Sequence, residues 1–119
     1  MRQAFAHDAV VDMEAGGDVR APGAAITVAL CGHWEHEPPC PLAPHHTGAE
    51  RSGGQVRLRV LFAAEPEAEA GVRRRIVAAL SGASLTGPDG ATTHWRLRSA
   101  QLGRLRADEA QHAEQLIQS

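Results

Sequence analysis

The stretch QVRLRVLFA, from Gln55 to Ala63, alternates Val56, Leu58, Val60 and Phe62 with Arg57 and Arg59. A period of two is that of a strand with one buried face, so a half-buried strand is expected here with its arginines outward. The chain continues as EPEAEAGVRRRIVAALSG, Glu65 to Gly82. Pro66 suits a first helical turn, and Glu65, Glu67 and Glu69 sit where the helix dipole favours negative charge. Val72, Ile76, Ala79 and Leu80 make one apolar stripe, and Gly82 is expected to stop the helix.

Further on, Gly87-Pro88-Asp89-Gly90 is a turn signal: proline presets φ and Gly90 tolerates positive φ. Thr93 to Ala100 alternates again, with Trp95 and Leu97 opposite His94, Arg96 and Arg98. Arg106 to Gln118 has the pattern of a terminal helix, with Leu105, Ala113, Leu116 and Ile117 facing a core. Upstream, Ala24 to Leu30 (AAITVAL) is a short, partly β-branched apolar run and is expected to be a strand. Residues 1–23 carry Phe5, Val10, Val11 and Met13 among polar residues and glycines, which fits a short helix or edge strand in a partly ordered segment. The expected architecture is an α+β two-layer sandwich. It has about three strands, two helices on one face and a long Cys/His-rich loop, and it forms one domain over residues 1–119.

Composition bounds the function. At 119 residues the chain supports one modest core, and with Phe5, Phe62, Trp34 and Trp95 as its only aromatics that core must be aliphatic. Every basic residue is arginine, and with abundant alanine and glycine this fits a GC-rich coding bias, which discounts arginine as a signal. A net charge of −2 gives no global reason for a nucleic-acid or membrane partner. No run has the length of a membrane span and no signal-peptide pattern opens the chain, so a cytoplasmic location is expected. Thiols stay reduced there, which disfavours a disulfide between Cys31 and Cys40.

The chemistry concentrates in CGHWEHEPPCPLAPHH, Cys31 to His46. The chain has nine cysteines and histidines, and six of them fall in this window; an even spread would put about one there. The candidate metal ligands are Cys31, His33, His36, Cys40, His45 and His46. Zinc takes thiolate and imidazole donors tetrahedrally, commonly paired two to five residues apart, and Pro38, Pro39, Pro41 and Pro44 restrict the loop before an ion arrives. His45 and His46 are adjacent, so in an extended segment they point to opposite sides and one ion takes only one of them. The expected set is Cys31, Cys40, one of His33 and His36, and one of His45 and His46. The segment 31–54 is thus read as a metal-type loop, with Zn2+ as the cofactor.

That makes the first functional expectation a small soluble zinc-binding accessory or interaction module with a structural Cys/His site. One alternative is a metal-dependent hydrolase in which Glu35 acts as base on a metal-bound water. Another is a copper sensor or carrier, prompted by more than four available ligands. Arg57, Arg59, Arg96 and Arg98, with His94, would share a sheet face if their strands adjoin, and would then meet a protein or anionic partner. No aromatic platform accompanies them, which counts against nucleic acid. Glu109-x-x-His112 shares one helical face and is read as a solvent-facing pair.

Overall fold

The computed structural model describes residues 1–31 and 43–119. Among them the chain forms β1 (Gln3–Met13), α1 (Ala21–Cys31), β2 (His45–Ser52), β3 (Gln55–Ala64), α2 (Glu69–Ser81), β4 (Ser84–Thr86), β5 (Thr92–Gly103) and α3 (Ala110–Gln118). The strands make one antiparallel sheet in the order β2-β3-β1-β5-β4. α1 connects β1 to β2 across β3, and α2 connects β3 to the β4–β5 hairpin across β1, an interleaved β-α-β arrangement. This corrects the expected three strands under two helices on one face: the α+β fold has five strands and three helices.

The correction begins at β1. The segment expected as partly ordered is the middle strand of the sheet, paired with β3 from Gln3 to Asp12 and with β5 from Ala6 to Met13. Its odd positions, Ala9, Val11 and Met13, pack against α1 and α2, while Ala6 on the opposite face packs against α3. A strand buried on both faces lacks the clean apolar–polar alternation that marks a strand in sequence.

The AAITVAL run is a helix, not a strand. Asp18 Oδ1 accepts from the Arg20 backbone N–H at 2.9 Å, and Pro22 falls in the first turn, where its missing donor is harmless. Ala21, Pro22, Ala24, Ala25, Ile26 and Leu30 are all buried, so α1 is apolar around most of its circumference. A buried helix of this kind and a buried strand present the same short apolar run, and periodicity does not separate them. Gly23 lets α1 come close to β2: a Cβ there would lie 3.3 Å from Thr47 Cβ.

β2 and β3 form a hairpin, and β2 lies within the segment 31–54 expected to be a metal-type loop, with Ser52 opposite Gln55 and Gly53 at φ 62°. A two-residue turn with positive φ matches the twist of the flanking strands. In β3, Val56, Leu58, Val60 and Phe62 face α1 and α2 as the alternation requires. Leu61 and Ala63 are buried as well, beneath Leu116 of α3. Helices therefore cover both sides of the sheet, which is why the two-layer expectation fails.

α2 buries Val72, Ile76 and Leu80; full burial of one such side chain contributes about 1.5–3 kcal/mol. Gly82 remains right-handed at φ −64°, and the left-handed turn out of α2 is made by Ala83 at φ 65°. Trp95 of β5 closes this corner, its indole N–H donating to the Leu80 carbonyl at 2.9 Å. No helix among the described residues is long and apolar enough to cross a membrane.

Candidate functional site

The start of β2 divides the histidines between the two faces of the sheet. Ala43 and Pro44 are buried, and the Pro44 carbonyl accepts from Ala63 N–H at 2.9 Å, fixing how the strand enters. His45 stands opposite Phe62 and projects towards α1. Its Nδ1 lies 3.0 Å from the Ala43 carbonyl, which can only accept, so the proton sits on Nδ1. Its Nε2 lies 2.9 Å from the Thr27 hydroxyl. Cys31 occupies the position one helical turn beyond Thr27, so the Thr27–His45 contact brings together the two ends of the Cys/His stretch.

His46 stands opposite Leu61 and projects to the other face, where α3 lies. Its ring meets that of His112, with centroids 4.7 Å apart and planes at 55°. His46 is exposed on its outer side, yet the protein packed on its inner side lowers its pKa, and the neighbouring His112 adds a second, smaller push in the same direction. His112 was not among the candidate ligands. Sixty-six positions of sequence separate it from His46, and no spacing rule joins residues on a strand and a helix that far apart.

His33, His36 and Cys40, together with Glu35, lie outside the described residues. Among the described residues no three His, Cys, Asp or Glu side chains converge in a way that could hold a metal ion.

The arginine face is rearranged by β1. Because β1 runs between β3 and β5, Arg57 and Arg59 do not adjoin Arg96 and Arg98, and Asp8 and Asp12 stand between them. Arg59 is consumed by structure: it donates to Asp8 Oδ1 at 2.8 Å and, bidentately, to Glu109 at 2.7 and 2.8 Å. The bidentate guanidinium holds the Glu109 carboxyl down at about 2, and the carboxylates in turn push the Arg59 pKa up. Glu109 is therefore no solvent-facing partner of His112. Arg98 reaches Asp12 at 3.4 Å, whereas Arg57 and Arg96 form no ion pair among the described residues. A cleft of about 500 Å³ opens on this face, bordered by Asp8, Glu50, Arg57, Arg59, Gln101 and Arg106.

One further histidine is internal. His7 is buried under α2, and its Nδ1 accepts from the Arg73 guanidinium at 2.9 Å. Burial, and then the Arg73 charge, lower its pKa and keep it neutral. Arg73 also donates to the Ala6 carbonyl at 2.7 Å and pairs with Glu69 at 2.8 Å, so the cluster docks α2 on β1.

Fold and site together define an α+β chain with an interleaved β-α-β sheet and histidines gathered on both sides of its edge strand. Comparison with protein-family models, curated proteins and solved structures gave no match.

Proposed function

We propose that the chain is a small zinc-binding accessory module whose Cys/His stretch closes around one ion. The ligands in this reading are Cys31, Cys40, one of His33 and His36, and His45. The observation that carries it is the setting of His45. An imidazole whose Nδ1–H is held by a backbone carbonyl has its tautomer and ring plane fixed, the usual support of a zinc-bound histidine; its Nε2 accepts from the Thr27 hydroxyl, which can turn to the Gly23 carbonyl 3.2 Å away when a metal takes the nitrogen. That Nε2 lies on the α1 side of β2, against Thr27 and one turn below the Cys31 position. His46 projects away from it, which selects His45 from the adjacent pair.

The ion's role in this reading is to order a stretch rich in prolines and polar residues, since metal binding to thiolates and imidazoles adds folding free energy. An accessory role then draws on Arg57 and Arg96, two exposed arginines with no ion pair among the described residues, as groups a protein or anionic partner would meet. Arg59 and Arg98 are engaged with acids of the chain itself.

Elemental analysis of chelator-free protein tests the proposal. About one zinc per chain is expected, lost in Cys40→Ser and His45→Ala and kept in His46→Ala. Metal-free wild-type protein with freely titrating thiols would refute it, and zinc retained in His45→Ala would remove His45 from the ligand set.

A further inference from the structure

The two faces of β2 are chemically separate, and the α3 face carries its own pair of donors. His112 precedes Leu116 by four positions, so it lies on the stripe by which α3 meets the sheet, at the border of the small cluster of Leu61, Ala63, Ala6 and Leu116. His46 lies directly opposite Leu61 on the neighbouring strand. Both imidazoles are thus mounted on regular elements whose positions are set by packing, which is what a preformed site requires.

We propose that His46 and His112 form a two-imidazole site for a divalent transition-metal ion, distinct from the cysteine-containing stretch, that clamps α3 to the edge strand of the sheet.

The separation of the two ring centres fits one ion. A zinc-bound imidazole nitrogen lies about 2.0–2.1 Å from the metal, which puts the ring centre about 3.2 Å from it. Two rings on one ion then have centres about 4.5–5.3 Å apart for nitrogen–metal–nitrogen angles between right-angled and tetrahedral. The observed 4.7 Å falls inside that range. Neither ring is tied down by a hydrogen bond among the described residues. Glu109, three residues before His112, is held by Arg59 and by the Arg106 backbone N–H, so water would complete the coordination sphere. Two imidazoles and water suit nickel and copper, with copper held most tightly, whereas a zinc ion finds four protein donors only at the thiolate site.

The pair also has a mechanical consequence. α3 is attached by Leu116, Ala113 and Ile117, at its N-terminal end by the Glu109–Arg59 ion pair, and at its C-terminal end by the Arg2 guanidinium donating to the Ser119 carbonyl. An ion bridging His46 and His112 would add an attachment between helix and edge strand, and opening of α3 would fall as the ion is bound.

The full chain carrying Cys31→Ser and Cys40→Ser removes both thiolates and leaves this pair intact. Titration of that protein with Ni2+ by calorimetry at pH 7.5 is expected to show one ion per chain. His112→Ala and His46→Ala should each weaken binding at least tenfold, while His94→Ala, on β5 and in neither ligand set, leaves it within twofold. Hydrogen exchange over residues 110–118 should slow on addition of Ni2+ and be unaffected by Ni2+ in His112→Ala. Should His46→Ala fail to fold, His112→Ala and the exchange measurement decide alone. Undiminished Ni2+ affinity in His112→Ala, or no binding at all, overturns the inference; the zinc content of the wild-type chain reports separately on the thiolate site.

Discussion

Glu109→Gln is the substitution whose effect is most directly calculable from the structure. The carboxylate accepts two bonds from Arg59 at 2.7 and 2.8 Å and one from the Arg106 backbone N–H at 2.8 Å, and its side chain is only 13 % exposed. Its pKa is lowered from 4.5 to about 2, chiefly by the Arg59 hydrogen bonds. A shift of that size, at about 1.4 kcal/mol per unit, sets a ceiling of about 3.4 kcal/mol. Solvent around Arg59 and the exposure of Arg106 reduce the figure, and about 1–2 kcal/mol is expected at pH 7. The sign follows from a folded pKa below the ordinary one. The stabilisation is complete above about pH 4.5 and is lost as pH falls towards about 2, because the folded state then gives up a charge it had favoured. Urea midpoints of wild type and Glu109→Gln, measured at pH 7 and pH 3, test this. The variant should be less stable at pH 7, and the gap should shrink by about half or more at pH 3, since glutamine does not titrate. A gap of the same size at both pH values, or no gap at pH 7, would show that the Arg59–Glu109 pair does not anchor α3.

Two other substitutions probe the same framework. At Gly103 a Cβ would lie 2.6 Å from Asp8 Oδ2 and 3.0 Å from an Arg59 guanidinium nitrogen, so Gly103→Ala should displace that ion pair and cost about 1–3 kcal/mol in chemical denaturation. Ala83 holds φ 65° at the exit of α2, so Ala83→Gly should raise stability by about 0.5–1 kcal/mol, and a lowered denaturation midpoint would contradict that assignment of strain.

Local chemistry made several elements legible. The alternation from Val56 to Phe62 marks β3, the stripe of Val72, Ile76 and Leu80 marks α2, and Gly87-Pro88-Asp89-Gly90 marks the turn between β4 and β5. The first half of β3 and the whole of α2 each have one buried and one exposed side, so there the solvent boundary is written into the residue order. The N-terminal strand and α1 carry no such boundary, because β1 is buried on both faces and α1 around most of its surface. Gly82 caps α2 as expected but does not make the left-handed exit: the handedness of a helix exit is decided by the path to the next strand, and here Ala83 takes it while its carbonyl accepts from Trp95 N–H at 2.8 Å.

The sequence by itself determined the density of cysteine and histidine between Cys31 and His46, and the opposite projection of His45 and His46 follows from the pleat of any extended segment. It also set the aliphatic character of the core, since there are few aromatics to build one otherwise. Only the tertiary structure decided what those side chains meet. Strand order put Asp8 and Asp12 between the arginines of β3 and β5 and so neutralised Arg59 and Arg98. The placement of α3 on the face opposite α1 brought His112 to His46 while Thr27 met His45. These are contacts between residues distant in the chain, fixed by which face each helix covers, and that choice follows from burying all the apolar faces at once rather than from any single segment.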